Sequence, residues 1–243
     1  MLTRCIRAEW LKLRRTRMWL ILFILPLIGV MIGSVNYYFN QQALQNGWYS
    51  LWTQVCLFYG EFFLPVLIAI CCAFVCRLEH VNKNWNAVMT APLPVSFVFI
   101  AKLVVVTLLL LVVHLFFTAL YAGAGLLFGL SFPLPGEIAG WVARGWLASI
   151  TIAAIQLWLS LRIRSFAVPI GISICAVFVG LGMYVAKAGM FFPYSLLTIG
   201  MGALSQEPLS ASESGLFVVM NVIFLFIVSV AAIRKLKSTD VIA

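Results

Sequence analysis

Along the chain, apolar residues fall in long unbroken blocks parted by short polar, mostly basic stretches. There is neither the alternation of strands nor the one-sided stripe of soluble helices. A bilayer core about 30 Å thick takes about 20 residues of helix. Six windows of that kind stand out, at 19–39, 56–76, 97–121, 141–161, 166–186 and 216–233, and only Glu61, Lys102, His114 and Arg144 place a charged or imidazole group inside them. The pattern predicts an all-α, polytopic membrane protein with six transmembrane helices, its single transmembrane domain covering residues 1–243.

Basic residues set the orientation. Arg4, Arg7, Lys12, Arg14, Arg15 and Arg17 precede the first span. Arg77, Lys83 and Lys102 flank the second-to-third connection, Arg162 and Arg164 follow the fourth span, and Arg234, Lys235 and Lys237 follow the sixth. Fourteen of the 16 Lys and Arg therefore share one side, leaving Arg144 and Lys187 for the other, and the positive-inside rule puts both termini in the cytoplasm.

Residues 188–206 are uncharged and apolar enough to suggest a seventh crossing, but that would carry the Arg234–Lys237 cluster outside. Gly189, Pro193, Gly200 and Gly202 instead favour a broken, re-entrant element within an outer loop at 187–215. At the other end, Ile6, Glu9, Trp10, Lys12 and Leu13 belong to a stretch (1–18) whose apolar residues recur at helical spacing among basic ones, as in a helix lying in the inner headgroup plane. The apolar block after Arg17 exceeds the roughly 7 to 15 residues of a signal core, so this segment is expected to stay attached.

Composition sharpens this reading. Apolar residues make up 64% of the chain and charged ones 9%, against about 25% charged in a soluble domain. The net charge of +9 would suggest nucleic acid in a soluble protein, but here it lies between apolar blocks and reports topology, so no nucleic-acid partner is expected. The six cysteines show no metal-binding spacing with His80 or His114, and no metal site is expected. No Lys follows a Gly, which excludes a phosphate-cradling Walker loop, and no Gly-x-Ser-x-Gly elbow or His-Glu-x-x-His helix occurs. A catalytic residue set is absent, and an enzyme is not the expected function.

The second-to-third connection (77–96) is more patterned than a plain hairpin. Glu79, His80, Asn82, Lys83 and Asn86 offer donors and acceptors, while Trp85, Val88 and Met89 give apolar anchors one turn apart, and Pro92 and Pro94 stop any helix before the next span. This suits a short helix inserted into a partner's groove; the alternative is a solvated loop with Trp85 at the headgroups.

Taken together, Glu9-Trp-Leu-Lys12-Leu-Arg14-Arg15-Thr-Arg17, then Glu79 with Asn84-Trp85, Pro92 and Lys102, then Phe192-Pro193-Tyr194-Ser195-Leu196 resemble a permease of the type-two ABC exporter class. The size and the Pro-Tyr-Ser-Leu element are similar to the small permeases of bacterial lantibiotic-immunity and bacitracin-resistance transporters. The resemblance implies a subunit of the bacterial plasma membrane that pairs with a second permease, like or unlike, above separate ATPase subunits holding ATP and Mg, with no cofactor on this chain. It further implies that Glu79, His80, Asn82, Asn84, Trp85 and Met89 couple to the ATPase and that the cargo is an antimicrobial peptide or another amphiphile. The rival function is a non-transporting scaffold or sensor partner.

Within the spans, Glu61 and His114 fall at a common depth, roughly 22 to 26 Å from the inner ends of their helices at 1.5 Å per residue. They are the substrate-path candidates, with a structural hydrogen bond or outer headgroup contact as the other reading. Lys102 is expected to snorkel to the inner surface, Gly125 and Gly129 to pack helices closely, and Trp19, Trp48, Trp52, Trp141 and Trp146 to form interfacial belts.

Overall fold

The computed structural model describes residues 1–14, 16–80 and 94–238. Among these it is all-helical, with six helices long and apolar enough to cross a membrane. Helix α1 (Leu2–Arg14) precedes the first span, α2 (Met18–Phe39). The second span, Gly47–Arg77, runs through α3 (Gly47–Phe58), a π turn (Tyr59–Phe63) and most of α4 (Leu64–His80). Then come α5 (Val95–Leu127), α6 (Gly136–Arg162) and α7 (Ala167–Val185). A 3-10 turn (Gly189–Phe191) and the short α8 (Pro193–Gly200) lead to the last span, in α9 (Ala211–Ser238).

The π turn has a sequence cause. Pro65 carries no N–H and its ring crowds the carbonyl four residues earlier, that of Glu61. The helix widens there, and the Leu64 N–H reaches back five residues to the Tyr59 carbonyl. The second span is thereby lengthened toward Gly47 beyond the 56–76 window, because Trp48 and Trp52 are helical and buried.

Helix α6 is the hub, packed on α4, α5, α8 and α9, while α2 lies against α3 and α5, and α1 against α5. The two ends differ in character. One gathers α1, the end of α4, the starts of α5 and α7 and the end of α6: His80 Nε2 lies 3.0 Å from the Ser160 carbonyl, and the Arg77 guanidinium sits 5.5 Å from the Phe166 ring centre. At the other, Trp52 and Trp141 stack with centroids 5.5 Å apart, and Trp52 Nε1 donates to the Met201 carbonyl at 2.7 Å, clamping the residues after α8.

Two expectations are corrected here. Trp48, Trp52 and Trp141 are core residues and not belt residues, because each indole finds packing partners inside the bundle; Trp48 Nε1, for instance, donates to the Ser131 carbonyl. Gly125 and Gly129 do not act as a helix-packing pair. Gly125 gives its missing side chain's space to the Trp48 ring, whereas Gly129, at φ 77° with open space around it, ends α5 as the Leu130 N–H returns to the Gly125 carbonyl at 3.0 Å.

Candidate functional site: a buried charge node

Helix α1 turns Glu9 and Leu13 inward against α5, with Ile6 and Trp10 partly buried beside them. Trp10 meets Trp19 edge-on at 6.0 Å, so the first turn of α2 is fixed by the same contact. This orientation delivers Glu9 to Lys102, seven residues into α5. The ammonium, 0% exposed, donates to Glu9 Oε2 at 2.9 Å, Glu79 Oε1 at 2.7 Å and the Val75 carbonyl at 3.3 Å. Lys12 closes the cluster from its rim, 2.6 Å from Glu9 Oε1 and 3.0 Å from Glu79 Oε1.

Two carboxylates and two ammonium groups thus form a neutral knot that ties α1, α4 and α5 together. Burial favours the neutral acid at Glu9 most strongly, but Lys102 and Lys12 together outweigh it and hold the carboxyl below its ordinary value. All three protons of Lys102 have acceptors, which is what allows a full charge to be enclosed. Glu79 Oε2, in contrast, is buried with no hydrogen-bond partner among the described residues.

Lys102 therefore does not snorkel to the inner surface as the sequence suggested; two carboxylates more than 20 residues away in the chain hold it inside. Of the residues implicated in coupling, Glu79 is 1% exposed and turned into the knot, and His80 faces the Ser160 carbonyl. Asn82, Asn84, Trp85 and Met89 lie outside the described residues. Glu9, Lys12, Glu79 and Lys102 come from two separate stretches of the pattern read in the sequence, and the fold brings all four to one point.

Glu61 and His114 do not bond each other. Thr198 donates to Glu61 Oε2 at 2.7 Å, whereas His114 Nδ1 donates to the Leu110 carbonyl at 2.8 Å, leaving Nε2 enclosed without a partner among the described residues. Nothing in the sequence pointed to Thr198 or Gln156, and Tyr194 stood out only as part of the Phe192–Leu196 element. Gln156 donates to the Tyr194 hydroxyl at 2.6 Å, Tyr194 to Ser173 at 3.3 Å, and Ser173 to the Pro65 carbonyl at 3.1 Å, a relay joining α6, α8, α7 and α4. The Phe192-Pro-Tyr-Ser-Leu stretch was the only signal for it.

Residues 5–180, which contain all four charges of the knot, match the family described as ABC-2 family transporter protein. The chain belongs to that family. This ABC-2 protein is accordingly a multi-pass permease subunit of an ABC exporter, a transporter membrane component that associates with an ABC ATPase and the membrane. No curated protein matches the chain.

Proposed function

We propose that this permease exports an antimicrobial peptide of the lantibiotic type, or a comparable amphiphile, from the bacterial plasma membrane. Separate ATPase subunits hold ATP and Mg, and a second permease, like or unlike, completes the pore. Both termini are cytoplasmic, which puts the charge knot on the ATPase side, immediately before the segment that begins at Val81.

One observation carries the reading: Glu79, the last acid before that segment, shares its Oε1 with Lys102 of α5 and Lys12 of α1. A push on the segment reaches three helices through charge-assisted hydrogen bonds, which are short and directional, where a loosely tethered loop would absorb it. In this scheme the ATPase touches Asn82, Asn84, Trp85 and Met89, while Glu79 and His80 fasten the moving piece to α1, α5 and α6.

The test is co-purification with the co-encoded ATPase, together with export, for Glu79→Ala combined with Trp85→Ala. Loss of either, with normal membrane insertion, supports the assignment. Survival of both refutes it.

A further inference from the structure

A second built feature lies at the opposite end of the bundle. A cavity of about 440 Å³ opens between the end of α7, α8 and the start of α9, within the range that holds small ligands or a large side chain. Ile199 and Leu209 give it an apolar wall, and Lys187, Thr198, Glu207 and Glu213 its polar lining.

An acid stands behind the floor of this cavity. Thr198 spends its hydroxyl proton on Glu61 Oε2, so the threonine oxygen presents lone pairs while the carboxylate stands directly behind it. Glu61 is 4% exposed, and its Oε1 accepts no hydrogen bond among the described residues. Tyr184, also on the wall, lies within electrostatic reach of the same carboxylate. Glu213 uses only Oε2 to cap Ser210, at 2.7 Å. Two carboxylates, Glu207 and Glu213, thus line the space with one lysine, and the Glu61 carboxyl stands one hydrogen bond behind Thr198.

The site is rigid as well as negative. The Met201 carbonyl is held by Trp52, and Gly202 takes φ 57° where a side chain would strike Trp141. These contacts anchor the backbone just after Thr198, and a preformed site loses less on binding. The rim, with Glu207 and Ser210, is polar and exposed, open to a chain arriving from water.

We propose that this cavity receives a lysine-type primary ammonium group of a cationic amphipathic peptide, with Thr198, backed by Glu61, as the floor and Glu207 and Glu213 as the rim. The inference rests on the exporter reading, for it gives that reading's cargo a first contact.

The experiment uses the full-length permease in neutral phosphatidylcholine nanodiscs, a fluorescent designed Leu/Lys amphipathic peptide, and its Lys→Gln counterpart. The Lys peptide should bind about tenfold more tightly than the Gln peptide, as one enclosed charge-assisted contact would give. Glu61→Gln and, on the exposed rim, Glu213→Gln should each remove most of that difference, and Lys187→Gln should strengthen binding. Glu213→Gln keeps the test meaningful if Glu61→Gln proves unstable. Equal affinity for both peptides, or binding indifferent to both carboxamide variants, overturns the proposal. So does loss of the Lys preference when phosphatidylethanolamine is added to the discs, which would make the site a lipid amine's. ATPase co-purification, measured on the same preparations, separates failure of this site from failure of the exporter reading.

Discussion

Lys102 Nζ and Glu79 Oε1 stand 2.7 Å apart with both side chains enclosed, joining the start of one membrane helix to the end of the one before it. Such a pair is weak evidence for stability as a whole, because desolvation offsets much of the attraction, but removing one partner strands the other. Lys102→Met should cost about 3 to 5 kcal/mol, since Glu9 and Glu79 would be left facing each other with only Lys12. Adding Glu79→Met should recover part of that loss. Thermal unfolding in detergent across the four-member mutant cycle measures it, and simple additivity would show that the two groups do not interact.

Acid should loosen α1 first. The Glu9 carboxyl is held below its ordinary value of 4.5, burial being outweighed by Lys102 and Lys12. For a lowered carboxylate the stabilisation is complete above the unfolded value and is lost as pH falls through the native one. Proteolytic release of the α1 segment should therefore rise below about pH 4.5, and Glu9→Gln should be equally labile at neutral pH. A Glu9→Gln protein with the wild-type acid profile would contradict this.

The two glycines near the end of α5 should behave unlike each other. A methyl group at Gly125 runs into the Trp48 ring, so Gly125→Ala forces repacking where Tyr121 also holds the Trp48 carbonyl, at 2.7 Å. Its cost should be roughly 1 to 3 kcal/mol. Gly129→Ala meets no atom and pays only for its left-handed backbone, about 1 kcal/mol. Melting temperatures of the two variants give the comparison.

How far the sequence foretold this structure depends on the length scale of each interaction. Six spans were legible because apolar blocks of bilayer length have few other uses, and their observed ends fall within six residues of the windows everywhere except the second. That exception arose because Trp48 and Trp52 read as interfacial markers, and only the fold reveals that Trp141 stacks on one of them. Glu9 and Lys102, 93 residues apart, were each visible as anomalies, an acid in a basic helix and a lysine in an apolar span. Nothing local says that two anomalies cancel. Thr198 was invisible beside Glu61 for the same reason, with 137 residues between them.

Topology is open to direct test. With both termini inside and an outer re-entrant element before α9, as proposed, a cysteine introduced at Ser205 should label from outside intact cells and one introduced at Ser238 only after the cells are opened. The reverse pattern, with position 238 labelled from outside and position 205 protected, would mean that residues 188–206 cross and that the basic end of α9 lies outside.

In the proposed mechanism the knot of Glu9, Lys12, Glu79 and Lys102 carries the ATPase stroke into the bundle. The most direct measurement is ATP hydrolysis and peptide export, side by side, for the reconstituted complex bearing Lys102→Met at a temperature where it stays assembled. The predicted result is hydrolysis retained and export lost, turnover without transport. Export in step with hydrolysis, as in the wild type, would show that the stroke travels by another route.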